Sequence, residues 1–250
     1  DNASIYIALE RTNDNMKILP FYENQSKLFC DFPLIGTEDF PFPVLISSPD
    51  FNPTEPRDGV FLTCKNTARI DEEIEVNRSI IEKACGLYEH LLEYVAKKKW
   101  DGIYNISKVN AYSKKEWYDE EWLDEIIAKC KDVILHTPII RNACGDMKAL
   151  IDSWDEQELY IISDRNVATR EKIWTLLSYM IPDMIPQKED LHEWYQSLWS
   201  GCNSYTFERL SEQVSSFATV DTLDAELNRI DWRDWLNKYY EIIDENEKWQ

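Results

Sequence analysis

The sequence predicts an α+β protein: a mixed β-sheet with packed helices, followed by a smaller α/β unit and a helical C-terminal region. Three observations carry this. Short apolar runs bounded by Pro and Gly crowd the chain before residue 50, as strands and tight turns do. From Asp71 onward, apolar residues recur at the i, i+3, i+4 and i+7 spacing of one helical face. Beyond Ala168 nearly every segment carries that spacing.

Residues 4–10 alternate weakly and are rich in β-formers, residues 11–15 make a polar turn, and residues 17–22 make a second strand. The runs Leu28-Phe29-Cys30 and Val44-Leu45-Ile46 add two strands, and Val60-Phe61-Leu62 a short fifth. Residues 51–59, FNPTEPRDG, cannot be helical. Pro53 and Pro56 each lack an N–H and push the preceding residue out of the helical region. The result is a stiff loop that presents Asn52, Thr54, Glu55, Arg57 and Asp58.

Asp71-Glu72-Glu73 opens a helix running to about Lys99, with Ile74, Ile81, Ala84, Tyr88, Leu92 and Val95 on its stripe. Acids at its start and lysines at its end suit the helix dipole, and Asp101-Gly102 stops it. A second helix is expected over 114–131, with Trp117, Leu123, Ile126 and Cys130 on one side. Strands are expected at 133–135, 137–140, 149–151 and 159–162, forming the small α/β unit. Helices at 170–181, 189–199, 206–217, 222–228 and 232–247 complete the chain, with Asp221 and Asp231 as caps of the last two. The expected division is 1–135 and 136–250.

The 250 residues include 27 basic and 47 acidic ones, a net charge of −20. That argues against a nucleic-acid or anionic-membrane surface, because phosphate binding needs clustered Lys and Arg. The one basic run, Lys97-Lys98-Lys99, sits at a helix end and needs no partner. Six cysteines without C-x-x-C spacing read as free thiols of a reducing cytoplasm. No apolar run is long enough to span a membrane, and no signal peptide is expected. Without an initiator Met, and with a strand almost at once, the chain reads as a piece of a longer protein.

Candidate chemistry is sparse. His90, His136 and His192 are scattered, and no Gly-x-Ser-x-Gly accompanies them. A phosphate-binding glycine fingerprint is absent. Glu38 and Asp39 offer a carboxylate pair for glycoside chemistry, although adjacent acids are more often a solvated face. Trp194, Trp199, Trp232 and Trp235, in an acidic chain, suggest a partner-binding groove in a non-enzymatic interaction module. Arg57 stands out. Its guanidinium, on a proline-stiffened loop, either meets a phosphate arriving from outside or pairs with Glu55, Asp58 or a backbone carbonyl.

The segment FPVLISSPDFNPTEPRDGVFL resembles the strand and loop of the middle domain of ninety-kilodalton heat-shock chaperones and sacsin-type ATPases, which share an upstream GHKL-type ATPase domain. Phe42-Pro43-Val44-Leu45-Ile46 matches the entry strand, Phe51 the aromatic, and Arg57-Asp58 the Arg-acid pair. Residues 32–37, the helix to Trp100 with 101–105, and the run 133–140 extend the likeness over about residues 1–145. Asn52 and Arg57 stand further apart than the family's Asn and Arg. The resemblance implies that Arg57 acts as the catalytic residue, reaching the γ-phosphate of ATP, with Asn52, Thr54 and Asp58 as loop supports on the cofactor-binding side. It implies ATP and Mg held by an upstream domain of the same protein, that domain and client proteins as partners, and no activity in this stretch alone.

Overall fold

A computed structural model describes residues 2–13, 15–63, 71–109 and 111–245. The protein is α+β, and the chain divides into two compact units, Asp1–Ile139 and Ile140–Gln250.

In the first unit, among the described residues, six strands precede the long helix: β1 (Ser4–Tyr6), β2 (Ala8–Arg11), β3 (Met16–Leu19), β4 (Leu28–Cys30), β5 (Phe32–Pro33) and β6 (Leu45–Ser47). Four of them form a mixed sheet in the order β1-β6-β4-β5. β1 and β6 are antiparallel, with Ile5 opposite Ile46; β4 and β6 are parallel; β4 and β5 are antiparallel. The first extended run breaks at Ile7. Its first half joins this sheet, whereas its second half makes a separate hairpin with β3, Leu9 opposite Ile18. Val60 does not found a fifth strand. It makes one isolated bridge to Pro53, whose missing N–H cannot extend a ladder.

Helix α1 (Asp71–Lys97) starts with three acids and buries Ile74, Asn77, Ile81, Ala84, Tyr88 and Leu92 along one stripe. The Tyr88 ring meets Phe42 edge-on at 5.9 Å, and its hydroxyl donates to the Ile106 carbonyl at 2.7 Å. Helix α2 (Glu120–His136) begins six residues later than the sequence suggests and absorbs the strand expected at 133–135. Both differences have local causes. Asp119 caps α2 by accepting the Trp122 N–H, which places the start there. Trp117 and Tyr118 instead pack with Phe40 in an aromatic cluster. At the other end Ile134 is buried in step with Leu123, Ile126 and Cys130, so the helical stripe continues through it. Arg78 of α1 bonds Asp119 and stacks on Trp122, Glu82 accepts from the Trp122 indole, and Cys85 lies against Cys130. The contacts thus advance along both helices in the same sense.

In the second unit β7 (Ile140–Arg141) and β8 (Met147–Lys148) form an antiparallel pair, and β9 (Ile161–Ile162) lies parallel to β10 (Ser204–Tyr205). The strand expected at 149–151 reduces to one bridge, Ile151 to Gln157. The helices are α3 (Val167–Leu177), α4 (Leu191–Ser197), α5 (Phe207–Ser216), α6 (Val220–Glu226) and α7 (Trp232–Glu245). Their shared core holds Ile173, Leu177, Leu210, Trp235, Tyr239 and Ile242. Tyr239 stacks between Phe207 and Trp235, and the Trp235 indole donates to the Leu176 carbonyl at 3.1 Å. Among the described residues no helix is long and apolar enough to cross a membrane.

Candidate functional site

The proline-rich segment leaving β6 forms a strap over the first unit. Ser48 N–H donates to the Phe29 carbonyl, and Phe51 is buried. The strap is then clamped by α1 through one side chain. Asn77, fully buried, accepts the Asn52 N–H at 2.7 Å and donates to the carbonyls of Asn52 at 3.0 Å and Phe61 at 2.9 Å. One amide on the helix therefore holds both limbs of the loop. Arg78, one residue on, donates to the Leu62 carbonyl and to Asp119, tying the loop exit to the start of α2.

The tip is a tight turn. Thr54 N–H donates to the Gly59 carbonyl at 3.0 Å, and Arg57 N–H to the Thr54 carbonyl at 2.9 Å. The Thr54 hydroxyl, buried, donates to Asp58 at 2.5 Å and accepts the Asp58 N–H at 3.0 Å. Gly59 is required by space: a Cβ there would lie 2.0 Å from the Trp117 ring. Gly36 is required by conformation and space together, with φ +108° and Asp58 packed on it. The turn is thus pressed between the 34–40 loop and Trp117.

Arg57 sits at the apex with φ +58°, in the left-handed region that non-glycine residues avoid. Its side chain is exposed, and one N–H group donates to the Cys30 carbonyl at 3.0 Å. Among the described residues it pairs with neither Glu55 nor Asp58. Asn52, Thr54 and Asp58 are committed to the turn itself: Asn52 through its backbone to Asn77 and its amide toward the Glu73 carbonyl, Thr54 and Asp58 to each other. They shape the loop, and Arg57 is the group it displays.

The neighbouring acids are engaged. Lys115 binds Asp39 at 2.6 Å and the Gly36 carbonyl. Glu38 accepts the Gly36 N–H at 2.9 Å and the Ser26 hydroxyl at 3.2 Å. Burial pushes the Glu38 carboxyl up, but these hydrogen bonds and the Lys115 charge outweigh it, and its pKa falls below the ordinary value. Both carboxylates fasten the 34–40 loop, so the glycoside reading finds no opposed pair here. Lys27 differs. It is buried, its ammonium faces the Phe21 ring at 4.5 Å, and burial followed by repulsion from Lys108 lowers its pKa to about 8.

The remaining candidates separate. His90 is exposed on α1, His136 contacts Asp132, and His192 accepts from Arg170 and meets Glu171 at 3.1 Å. None of these contacts is with a nucleophile. Trp194 and Trp235 are interior, while Trp199 and Trp232 are half-buried, so two of the four rings proposed for a binding groove are core. Sequence reasoning passed over Asn77, Arg78 and Lys115, and placed Trp117 on a helix rather than against the loop. Asn77 had a signal: a polar residue on the apolar stripe, between Ile74 and Ile81, is a buried group in need of partners. No family model matches the chain, and neither a curated protein nor a solved structure shows significant similarity to it.

Proposed function

We propose that this chain is the middle region of a cytoplasmic, chaperone-like GHKL-type ATPase, with Arg57 as the residue offered to the γ-phosphate of ATP bound by an upstream domain. The supporting observation is the Arg57 turn. An exposed guanidinium, free of any carboxylate partner among the described residues, stands on a loop anchored at Asn77, Thr54 and Gly59. A charge-stabilising donor needs this preorganisation, because a group fixed before the reaction is not reordered during it. The single bond to Cys30 uses one of the five N–H groups an arginine carries. The others can reach oxygens of a transferring phosphoryl group, as an arginine finger does. ATP and Mg belong to the upstream domain in this reading, and the segment contributes Arg57 and the coupling of hydrolysis to domain closure.

The test is ATP turnover of the full-length parent. Arg57→Ala is expected to lower it roughly 10²-fold, the effect of losing one preorganised donor. Arg57→Gly is the control for geometry. It accepts the positive φ better than Arg does, so its turn stays formed while the guanidinium is gone, and its turnover should match that of the alanine variant. Wild-type turnover in either variant removes Arg57 from the mechanism.

A further inference from the structure

Helices α1 and α2 of the first unit set two thiols against each other. Cys85 lies midway along α1 and Cys130 in the second half of α2, and the Cys130 S–H donates to the Cys85 sulfur. Tyr88, buried one turn further along α1, is also near Cys130, so Cys130 meets this same face of α1. The helix pair is fixed by other contacts, Arg78 to Asp119 and Glu82 to the Trp122 indole. The two sulfurs are therefore held together by the fold and do not have to find each other.

They differ in access. Cys130 is buried, whereas Cys85 is half-buried. The residue after Cys85 is Gly86, exposed, where a Cβ would meet nothing within 4 Å, so no side chain closes over the thiol from there. The hydrogen bond from Cys130, helped by the nearby Lys129 ammonium, outweighs burial and the Glu82 charge and brings the Cys85 pKa below its ordinary value. Donating that bond, together with burial, pushes the Cys130 thiol up. One sulfur is thus reachable and nucleophilic, and the other is protonated, shielded and in contact with it. Oxidation-sensitive pairs divide the work in this way between an attacking and a resolving cysteine.

We propose that Cys85 and Cys130 form a reversible disulfide, with a peroxide as the oxidant. The Cys85 thiolate attacks one peroxide oxygen, the O–O bond breaks, and a sulfenic acid forms while the hydroxide released takes up the proton Cys85 gave up. The Cys130 sulfur then attacks the Cys85 sulfur. The S–S bond forms, the S–O bond breaks, and the hydroxyl leaves as water with the Cys130 proton. Two electrons pass from the sulfurs to hydrogen peroxide, which becomes two waters, and a dithiol reductant reverses the change by thiol–disulfide exchange. In a reducing compartment such a bond is transient and serves as a sensor. It staples α2 to the helix whose Asn77 and Arg78 hold the Arg57 loop, but it needs neither ATP nor Arg57 and is independent of the nucleotide reading.

The experiment is brief treatment of the reduced 250-residue chain with hydrogen peroxide, blocking of remaining thiols, and mass spectrometry of a non-reducing digest. The expected product is a peptide pair joined through Cys85 and Cys130, lighter by two hydrogens, lost on adding dithiothreitol and about tenfold more abundant than any other cysteine pairing. In concentrated urea that preference should vanish, because the fold creates it. Cys130→Ala should leave Cys85 as a sulfenic acid that dimedone traps, and Cys85→Ala should leave Cys130 reduced. The wild-type digest is decisive even if a variant folds poorly. A Cys85 no more oxidised than the exposed Cys144 overturns the proposal. So does oxidation of Cys85 to sulfinic acid without the link, or a link that forms equally well in urea.

Discussion

Asn77 is where the fold and the Arg57 loop meet, and Asn77→Ala gives the sharpest expectation. The side chain makes three hydrogen bonds, at 2.7, 3.0 and 2.9 Å, and is 0% exposed. At about 1 kcal/mol net each, their loss costs roughly 3 kcal/mol, because the loop groups left behind are shielded from water. Every 1.4 kcal/mol is tenfold in an opening equilibrium, so amide exchange in the middle of α1 and through the strap should quicken by about 10²-fold. Hydrogen-exchange mass spectrometry of the intact chain reads both segments at once, and the second unit is its internal reference. Asn77→Asp should be at least as damaging. Its carboxylate keeps an acceptor for the Asn52 N–H but turns an oxygen toward two carbonyls that now receive a donor. Acceleration of less than about threefold in the alanine variant would show that the clamp contributes under 1 kcal/mol and that the loop is held elsewhere.

Two further expectations come from the same unit, beside the turnover and oxidation outcomes given above. Gly59→Ala should destabilise the first unit by about 1–3 kcal/mol through overpacking against Trp117, and in the Trp117→Leu background the same change should be milder; equal effects in both backgrounds remove the ring as the cause. Lys27 sets a pH dependence. Its folded pKa, about 8, lies below the ordinary 10.5, so between these values the unfolded chain holds the extra proton and stability rises with pH. The penalty is complete below pH 8, about 3 kcal/mol at most, and gone above the unfolded value. Urea denaturation should therefore find Lys27→Met more stable than wild type at pH 7, with the gap closing by pH 10.5; a gap that does not change with pH refutes the assignment.

Local rules carried far in this chain. The period of Ile74, Ile81, Tyr88 and Leu92, with acids before it, was enough to place α1, and Pro53 and Pro56 were enough to make 51–59 a rigid non-helical loop. Three C-terminal helices followed from the same spacing and two more from expected caps, with ends off by a few residues; Asp221 lies inside α6, whose cap is Thr219. These features are legible because helix hydrogen bonds join residues four apart, and proline acts on its own backbone and the residue before it. The net charge and the prominence of Arg57 also needed nothing beyond composition and position.

What joins distant stretches was decided by tertiary structure. Residues 4–11 look like one strand, yet β1 pairs with β6 and β2 with β3, since pairing depends on which partner reaches each half. The start of α2 was set by Asp119 together with Arg78, forty-one positions earlier in the chain, and the strand expected at 133–135 gave way to a helix that had core to cover on that face. The candidate site shows the same division. The sequence marked Asn52, Thr54, Arg57 and Asp58 as one polar loop. The resemblance already gave three of them as supports and Arg57 as the acting group; folding supplied the contacts that hold them so, because Asn77 and Gly59–Trp117 reach that loop from segments no local pattern connects to it. Hydrogen bonds and packing contacts act over a few ångströms in space, and the chain alone does not say which residues will be brought within that distance.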